Sequence, residues 1–374
     1  MTAPQTPIHL LHVLPSFAPG GTQRRVVALI DGLGDDFRHT VLALDGRREA
    51  ALTVQRPDRL RFAEATVRPS RGIDFGNLAR LRRLLRRERP DVLITYNWGA
   101  IEAGLANRFF PLCPHLHCED GFAGAGASVP EPSRRAWLRR LVLVRGSRLV
   151  VPSSTLQALA KAQWKLPESA IIHLPNGVDA ARFAAPARHR DDSDKVVIGT
   201  LARLSPEKNI HRLLRVFAVA AGRQALHLLI AGDGPERAAL ETAAEELKLG
   251  DRVTFLGQVD APEAVLSRIE IFALTSDSEQ MPLSVLEAMA ASLPVVASDV
   301  GDIGEMVADE NRFAIVPASD EAAFVDAVVA FARSAPLRQR VGAANAVRAR
   351  ERYDLEVMLT RYRRLLTETA RHGD

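Results

Sequence analysis

The chain has 374 residues, 47% hydrophobic and 25% charged, with a net charge of +4. That length and mix predict a soluble, globular chain of about two to three domains. Its two cysteines, Cys113 and Cys118, exclude a disulfide framework and match no metal-site spacing, and no run of ~18 uninterrupted apolar residues offers a spanning helix.

In chain order, the opening MTAPQTPIHLLHVLPSF lacks a basic stretch ahead of its short apolar run. It reads as a first strand, Ile8–Leu14, and not as a signal peptide. Further strands are predicted at His39–Leu44, Val92–Thr95, His115–Cys118 and Leu149–Pro152. Helical patterns fall at Arg24–Leu33, Phe75–Arg87, Pro132–Val144 and Ser154–Ala162. The polar segment Ala185–Lys195 shows no apolar periodicity and reads as a linker. Beyond it the scheme repeats. Strands are predicted at Val196–Leu201, His227–Ala231, Val253–Leu256, Ile271–Leu274 and Pro294–Ala297. Helices are predicted at Asn209–Ala221, Pro235–Lys248, Ala261–Ser267, Pro282–Ala291 and Glu321–Ser334, with a last helix, Leu355–Thr369. Alternating strands and helices predict α/β domains with parallel sheets covered on both faces. The domains expected are 1–187 and 188–352, with 353–374 as a helix packing back across them.

Charge divides the same way. Residues 1–187 carry 26 Lys and Arg against 16 Asp and Glu, whereas residues 188–374 carry 23 against 29. A basic first half suits an anionic partner: nucleic acid, a membrane surface or a phosphorylated substrate. Nucleic acid is disfavoured because the arginines lack interleaved aromatic platforms. Arg80, Arg82, Arg83, Arg86, Arg87 and Arg89 crowd the segment Ala79–Arg89; Arg134, Arg135, Arg139 and Arg140 flank Trp137 on a second predicted helix. Both suit an anionic membrane interface, and equally a solvated arginine-rich helix face.

Ligands of open parallel sheets bind beyond the carboxyl ends of the strands, so the loops there are the candidate sites. After the first strand, Gly20 and Gly21 open a helix and give an anion access to backbone N–H groups; a plain strand-to-helix turn is the alternative. GxGxxG spacing is absent. In LARLSPEK, Ser205 reads as an N-cap with Pro206 at the first helical position. Arg203 and Lys208 then flank a helix N-terminus, where two cations call for a phosphate unless both are merely solvated. AGDGPE, residues 231–236, reads as a structural turn. In SDSEQMPLSVLEAMA, Glu279 precedes a helix that Pro282 starts and Glu287 lies inside it, with Met281, Leu283 and uncapped backbone amides between them. At ~1.5 Å per helical residue the pair could bracket a ligand on the order of 10 Å long, such as a diphosphate with hydroxyls at either end. Two ordinary glutamates are the alternative.

Glu279-x7-Glu287 followed by AMAASLPVVASDVGD resembles the pattern of the retaining glycosyltransferase family 4, of GT-B fold. GTLARLSPEKN, LLIAGDGPE, VTFLGQV and LPNGVDAARF resemble that family's other blocks, in its order. The resemblance covers essentially the whole chain and is strongest over residues 172–307. It implies two Rossmann-like, doubly wound domains facing across a cleft, and transfer of a hexose with retention from a UDP- or GDP-sugar to a glycan or lipid-linked acceptor. Glu279 would meet the donor sugar, Glu287 the ribose, Arg203 and Lys208 the diphosphate, and the loop around Gly257 the base. Gly20 and Gly21 would approach the phosphate from the other domain, and Asn176 would lie near the cleft. Catalysis would be electrostatic and free of metal; the lone Asp-x-Asp, Asp192-Ser-Asp194, falls in the linker. A cytoplasmic chain, peripheral at the inner face of the membrane, is expected. The sequence departs from the family at Gln280 and Ser292, where glycine is frequent. At Asp120, within HLHCEDGF, many members carry a histidine near the sugar; Asp120 would act beside the donor sugar there, with Glu119 before it and His117 three residues earlier, or else cap the Gly121-Phe122 turn and leave the role to His117. The competing readings are another GT-B enzyme, such as a sugar-nucleotide epimerase, and a sugar-nucleotide-binding protein without transfer.

Overall fold

The computed structural model describes residues 6–67, 73–121, 133–144, 146–184 and 195–371. Asp192 and Asp194, with most of the expected linker, lie outside them, as do Phe122 and Pro132. The chain forms two compact units, one built from the described residues up to 175 together with 356–371, the other from 176–355.

The first unit is a seven-stranded sheet, with pairs parallel throughout, of β1 (Ile8–Leu14), β2 (Phe37–Ala43), β3 (Leu60–Phe62), β4 (Val92–Tyr96), β5 (His115–Cys118), β6 (Ser147–Val151) and β7 (Ile171–His173). Their order is β3-β2-β1-β4-β5-β6-β7. Its helices are α1 (Gly21–Gly32), α2 (Phe75–Glu88), α3 (Ile101–Arg108), α4 (Ser133–Leu143) and α5 (Ser154–Gln163). α2 and α3 bury Leu81, Leu84, Leu85 and Ala103 against Leu11, Val13 and Leu93. α4 and α5 bury Val142, Leu156 and Trp164 against Leu149 and Val151. Each such leucine or valine contributes ~1.5–3 kcal/mol on burial.

The sheet interior also holds a polar set that alternation alone would not place there. His12 joins Tyr96 Oη (2.9 Å) and His39 (3.0 Å). Ser147, His115, Thr95 and His117 form an unbroken cross-strand chain with links of 2.9, 2.8 and 2.7 Å. Burial, then neighbouring cations or histidines, pushes three of these imidazoles down, His39 and His115 to about 3 and His12 well below its usual value. Those three are neutral hydrogen-bonding links.

The second unit repeats the plan. Its strands are β8 (Val196–Leu201), β9 (Leu226–Ala231), β10 (Val253–Gly257), β11 (Ile271–Leu274), β12 (Val295–Ser298) and β13 (Ile315–Val316), in order β10-β9-β8-β11-β12-β13. The helices are α6 (Ala180–Phe183), α7 (Ile210–Ala221), α8 (Arg237–Glu246), α9 (Pro262–Leu266), α10 (Leu283–Ala290), α11 (Ile303–Met306), α12 (Glu321–Arg333) and α13 (Ala335–Tyr353). Strand residues alternate between two cores. Ile198, Leu228, Ile230 and Ile271 face α7 and α12, whereas Leu229, Phe272, Leu274 and Val295 face α10 and α13. The closing helix, α14 (Leu355–Arg371), joins the first unit: Leu359 packs on Gly32, Arg363 reaches the Gly32 carbonyl (3.2 Å), and Arg148 reaches Thr369 (2.6 Å).

In both sheets the strand order reverses beside the first strand, between β1 and β4 and between β8 and β11. The carboxyl ends of those pairs are where a doubly wound sheet opens a crevice.

Candidate functional site

In the second unit, the loop after β8 (202–209) and the loop after β11 (275–282) leave the switch point side by side. Asp277 N donates to Glu207 O (2.9 Å), Thr275 Oγ1 to Asn209 O (3.0 Å), and Arg212 to Thr275 O (2.9 Å). Glycines pin both loops from outside. A Cβ on Gly232 or Gly234 would run into the carbonyls of Ala202 or Leu204. One on Gly301 would lie 2.6 Å from Gln280 O and closer still to Glu279 O. AGDGPE is therefore structural in a specific sense: it shapes the loop that carries Arg203.

Lys208 Nζ lies 2.5 Å from Glu279 Oε1, which also accepts from Ser276 Oγ (2.8 Å). Glu279 Oε2 has no hydrogen bond among the described residues and is open to a hydroxyl. Arg203 is exposed, and its side chain makes no ion pair or hydrogen bond among them. Its field is felt at Glu207: burial pushes that carboxyl up, but the Ser205 hydroxyl (2.6 Å), its own backbone N–H, Lys208 and Arg203 together hold it below its usual range. Ser205 holds the expected N-cap position, with Pro206 first in the turn, but its side chain makes no cap bond. Its hydroxyl is spent on Glu207, ahead of a single 3-10 turn, Pro206–Lys208. Asn209, left-handed at φ 45°, ends that turn, and its side chain caps α7 at Arg212 N.

Pro282 is the N-cap residue of α10 and offers no side-chain cap, and the first turn holds no acidic residue. The amides at Leu283 therefore keep their attraction for an anion. Asn176 clamps the approach to this helix, donating to Met281 O (3.0 Å). Glu287 sits one turn further along, 2% exposed. Gly257 ends β10 at φ +72° and accepts from Gly232 N (2.8 Å). Arg203, Lys208, Glu279, Glu287, Asn176, Met281, Pro282 and Leu283 are gathered on the β8–β11 side of one sheet edge, with Gly257 further along it. A guanidinium, an ammonium with N–H groups to spare and uncapped helix amides suit a diphosphate, and the two carboxylates suit hydroxyls.

In the first unit, Gly20 precedes and Gly21 opens α1, which has neither a side-chain cap nor an acidic first turn. A Cβ on Gly21 would meet nothing within 4 Å. Asp120 shares this edge. Its carboxylate takes Arg25 Nη1 (2.5 Å), Arg25 Nη2 (2.9 Å) and Thr22 Oγ1 (2.6 Å). Glu119 and His117 are fully buried elsewhere. Glu119 pairs with Arg139 (2.6 Å) and lies 3.5 Å from His117, whose other nitrogen meets Thr95. Burial raises the Glu119 carboxyl, but Arg139 and His117 outweigh it and hold it below its usual range. Both side chains are 0% exposed, so neither is open to solvent beside Asp120. Arg139 also departs from the expected membrane-facing row. It is 1% exposed, with its guanidinium 4.9 Å from the Trp98 ring and 4.6 Å from that of Trp164, because only there does it neutralise Glu119. Sequence reasoning missed Thr22, Arg25, Asn97, Ser276 and Gly301. The signals available were the i, i+3 spacing of Thr22 and Arg25 on one helix face and a glycine three residues after a strand.

Residues 19–182 match the model described as Glycosyltransferase Family 4, and residues 182–348 match that of Glycosyl transferases group 1. The chain belongs to glycosyltransferase family 4. The two matched segments of this family-4 chain contain every site residue named above. A GDP-mannose-dependent alpha-mannosyltransferase of Mycolicibacterium smegmatis is 30% identical over 50% of this chain and 49% of its own. A D-inositol 3-phosphate glycosyltransferase of the same organism is 28% identical over 75% and 69%. The matched stretch spans about half the length of several such relatives. The crystal structure of Anabaena HepE in complex with UDP and glucose superimposes with a TM-score of 0.80 at 17% identity, covering 96% of this chain and 100% of that one. The fold is GT-B. No helix among the described residues is long and apolar enough to cross a membrane.

Proposed function

We propose that this family-4 chain transfers a hexose from a nucleoside-diphosphate sugar to a glycan or lipid-linked acceptor, with retention at the anomeric carbon. The observation that carries it is the Lys208–Glu279 pair at the second sheet's switch point, beside the uncapped α10. Arg203, Lys208 and the α10 amides bind the diphosphate. Glu279 Oε2 accepts a hydroxyl of the sugar, and Glu287 takes the ribose. As the bond from the anomeric carbon to the diphosphate oxygen breaks, charge grows on that oxygen. The fixed cations and helix dipole favour this state over the ground state, without a metal. On the first unit, Gly20 and Gly21 leave the uncapped amides of α1 open to a phosphate. The mannosyltransferase and HepE support a GDP- or UDP-linked donor. Thermal-shift screening of the full chain against UDP-, GDP- and ADP-sugars tests the reading, because a native-state ligand raises the melting temperature. Stabilisation by none of them contradicts it.

The acceptor side is proposed to rest on an anionic membrane at the inner face of the cell. Phe75, Phe109, Phe110 and Trp137 are 83, 66, 75 and 62% exposed, and Arg83, Arg86 and Arg87 are exposed on α2. Apolar rings beside cations suit an anionic interface. Flotation with anionic liposomes at low salt is expected. Equal flotation with neutral liposomes, or none, refutes it.

A further inference from the structure

We infer that Asp120 is a positioning residue, tied through Arg25 and Thr22 to the uncapped N-terminus of α1, and that it does not itself touch the reacting sugar. This rests on the reading of Gly20 and Gly21 as a phosphate contact.

Three chain segments meet at Asp120. Its two oxygens accept three hydrogen bonds from α1, two from Arg25 and one from Thr22. Its backbone N–H donates to Asn97 Oδ1 (2.8 Å), and Asn97 Nδ2 reaches back to Thr22 Oγ1 (3.4 Å). Asn97 follows β4 in a left-handed conformation, φ 54°, which turns its side chain between the other two segments. The segments after β1, β4 and β5 are thereby closed into a ring at the first sheet's switch point.

The ring is largely buried: the Arg25 side chain is 4% exposed and that of Asp120 19%. Burial, the largest influence, disfavours the Arg25 charge, but Asp120 first, then Tyr362, Cys118 and Tyr96, together outweigh it and hold the guanidinium well above its usual value. A carboxylate so committed has little acceptor capacity left for a sugar hydroxyl. Thr22 stands in the first turn of α1, and its hydroxyl is spent on Asp120. Gln23 is likewise turned away, donating to Ser16 O (2.8 Å). The first amides of α1 are left without a side-chain cap, and the space over Gly21 is open. The ion pair thus fixes the direction in which those amides point. A neutral residue at position 120 would leave Arg25 buried without its counter-charge and free the helix start to shift.

The test is a double-mutant cycle of Thr22→Val and Asp120→Asn on the full chain. It reads UDP and GDP affinity, donor KM, kcat and melting temperature. Thr22→Val keeps the ion pair and the β-branched shape, so it folds even if Asp120→Asn does not. Expected is a roughly tenfold rise in donor KM for Thr22→Val at nearly unchanged melting temperature, largely absorbed in the double variant, since residues of one network are non-additive. Arg25→Lys, which retains the charge, should keep part of the donor affinity that Arg25→Met loses. Unchanged donor KM in Thr22→Val, with kcat lost only in Asp120→Asn, overturns the assignment and makes Asp120 a direct contact. Loss of activity in step with melting temperature, at constant KM, overturns it in favour of a merely structural pair. Wild-type protein that binds neither UDP nor GDP overturns the functional reading itself, and this assignment with it.

Discussion

Gly301→Ala should uncouple site geometry from site chemistry, because it alters no polar group. Gly301 has φ +60°, and an added Cβ would lie 2.6 Å from Gln280 O and nearer still to Glu279 O. Both obstacles are backbone, so no side chain can swing aside. The left-handed conformation costs a non-glycine residue about 1–2 kcal/mol, and overpacking adds about 1–3 kcal/mol. For a unit of this size that lowers the melting temperature by ~2–4 °C per kcal/mol. Relief requires the 279–280 segment to retreat by several tenths of an ångström or more, taking Glu279 away from Lys208. Misplacement of ~1 Å can cost on the order of 10²-fold in turnover. Gly46→Ala is the control: φ +79°, with nothing within 4 Å of the added Cβ, it carries the backbone cost alone. The assay is nucleoside-diphosphate release, measured well below both melting temperatures. If Gly301→Ala turns over as fast as Gly46→Ala, Gly301 does not position the Glu279 loop.

Gly21→Ala should leave stability unchanged or slightly raised, since alanine favours a helix start, yet lower nucleotide affinity; unchanged affinity in calorimetry would remove Gly21 from the site. Glu279→Ala should abolish transfer with nucleotide binding largely kept, whereas Glu287→Ala should weaken nucleotide binding by ~1–3 kcal/mol; equal effects on affinity refute the division. Activity should survive EDTA, and loss restored by manganese or magnesium contradicts the cationic mechanism. Acid should destabilise the first unit. His12, His39 and His115 have folded-state pKa values far below 6.5, so the unfolded chain binds more protons as pH falls from 6.5 toward about 3. Each costs about 1.4 kcal/mol of stability at pH 5.5. A melting temperature flat between pH 7 and 5 refutes this, and replacing His39 by Gln should shrink the slope.

The parallel sheets were legible because buried strands are short apolar runs, as in VVIGTL and IFAL. The site loops were legible because Arg203, Lys208 and Glu279 stand at strand ends, where charge has no packing role. β3, β7 and β13 are short, two or three residues each, and escaped notice. α13 escaped for another reason. Its buried stripe is Arg338, Val341, Gly342, Asn345, Ala346 and Ala349, too polar and too small to give an apolar period. Asn345 satisfies Leu293 O (2.9 Å) and Ala308 N (2.9 Å) there, and Arg338 meets Glu270 (2.9 Å). The same blindness to buried polar pairs put Arg139 on a membrane face and left Arg25 unnoticed. At Ser292 the structure supplies the missing reason: φ is +57° just past α10, the left-handed helix end where glycine is favoured.

The most direct test of sugar transfer with retention is time-resolved proton NMR of α-linked UDP- and GDP-hexoses incubated with the protein and an acceptor extract. The account predicts release of the nucleoside diphosphate with the first sugar product in the α configuration, and neither signal in Glu279→Ala. A β product appearing first, or intact donor in every case, would contradict it.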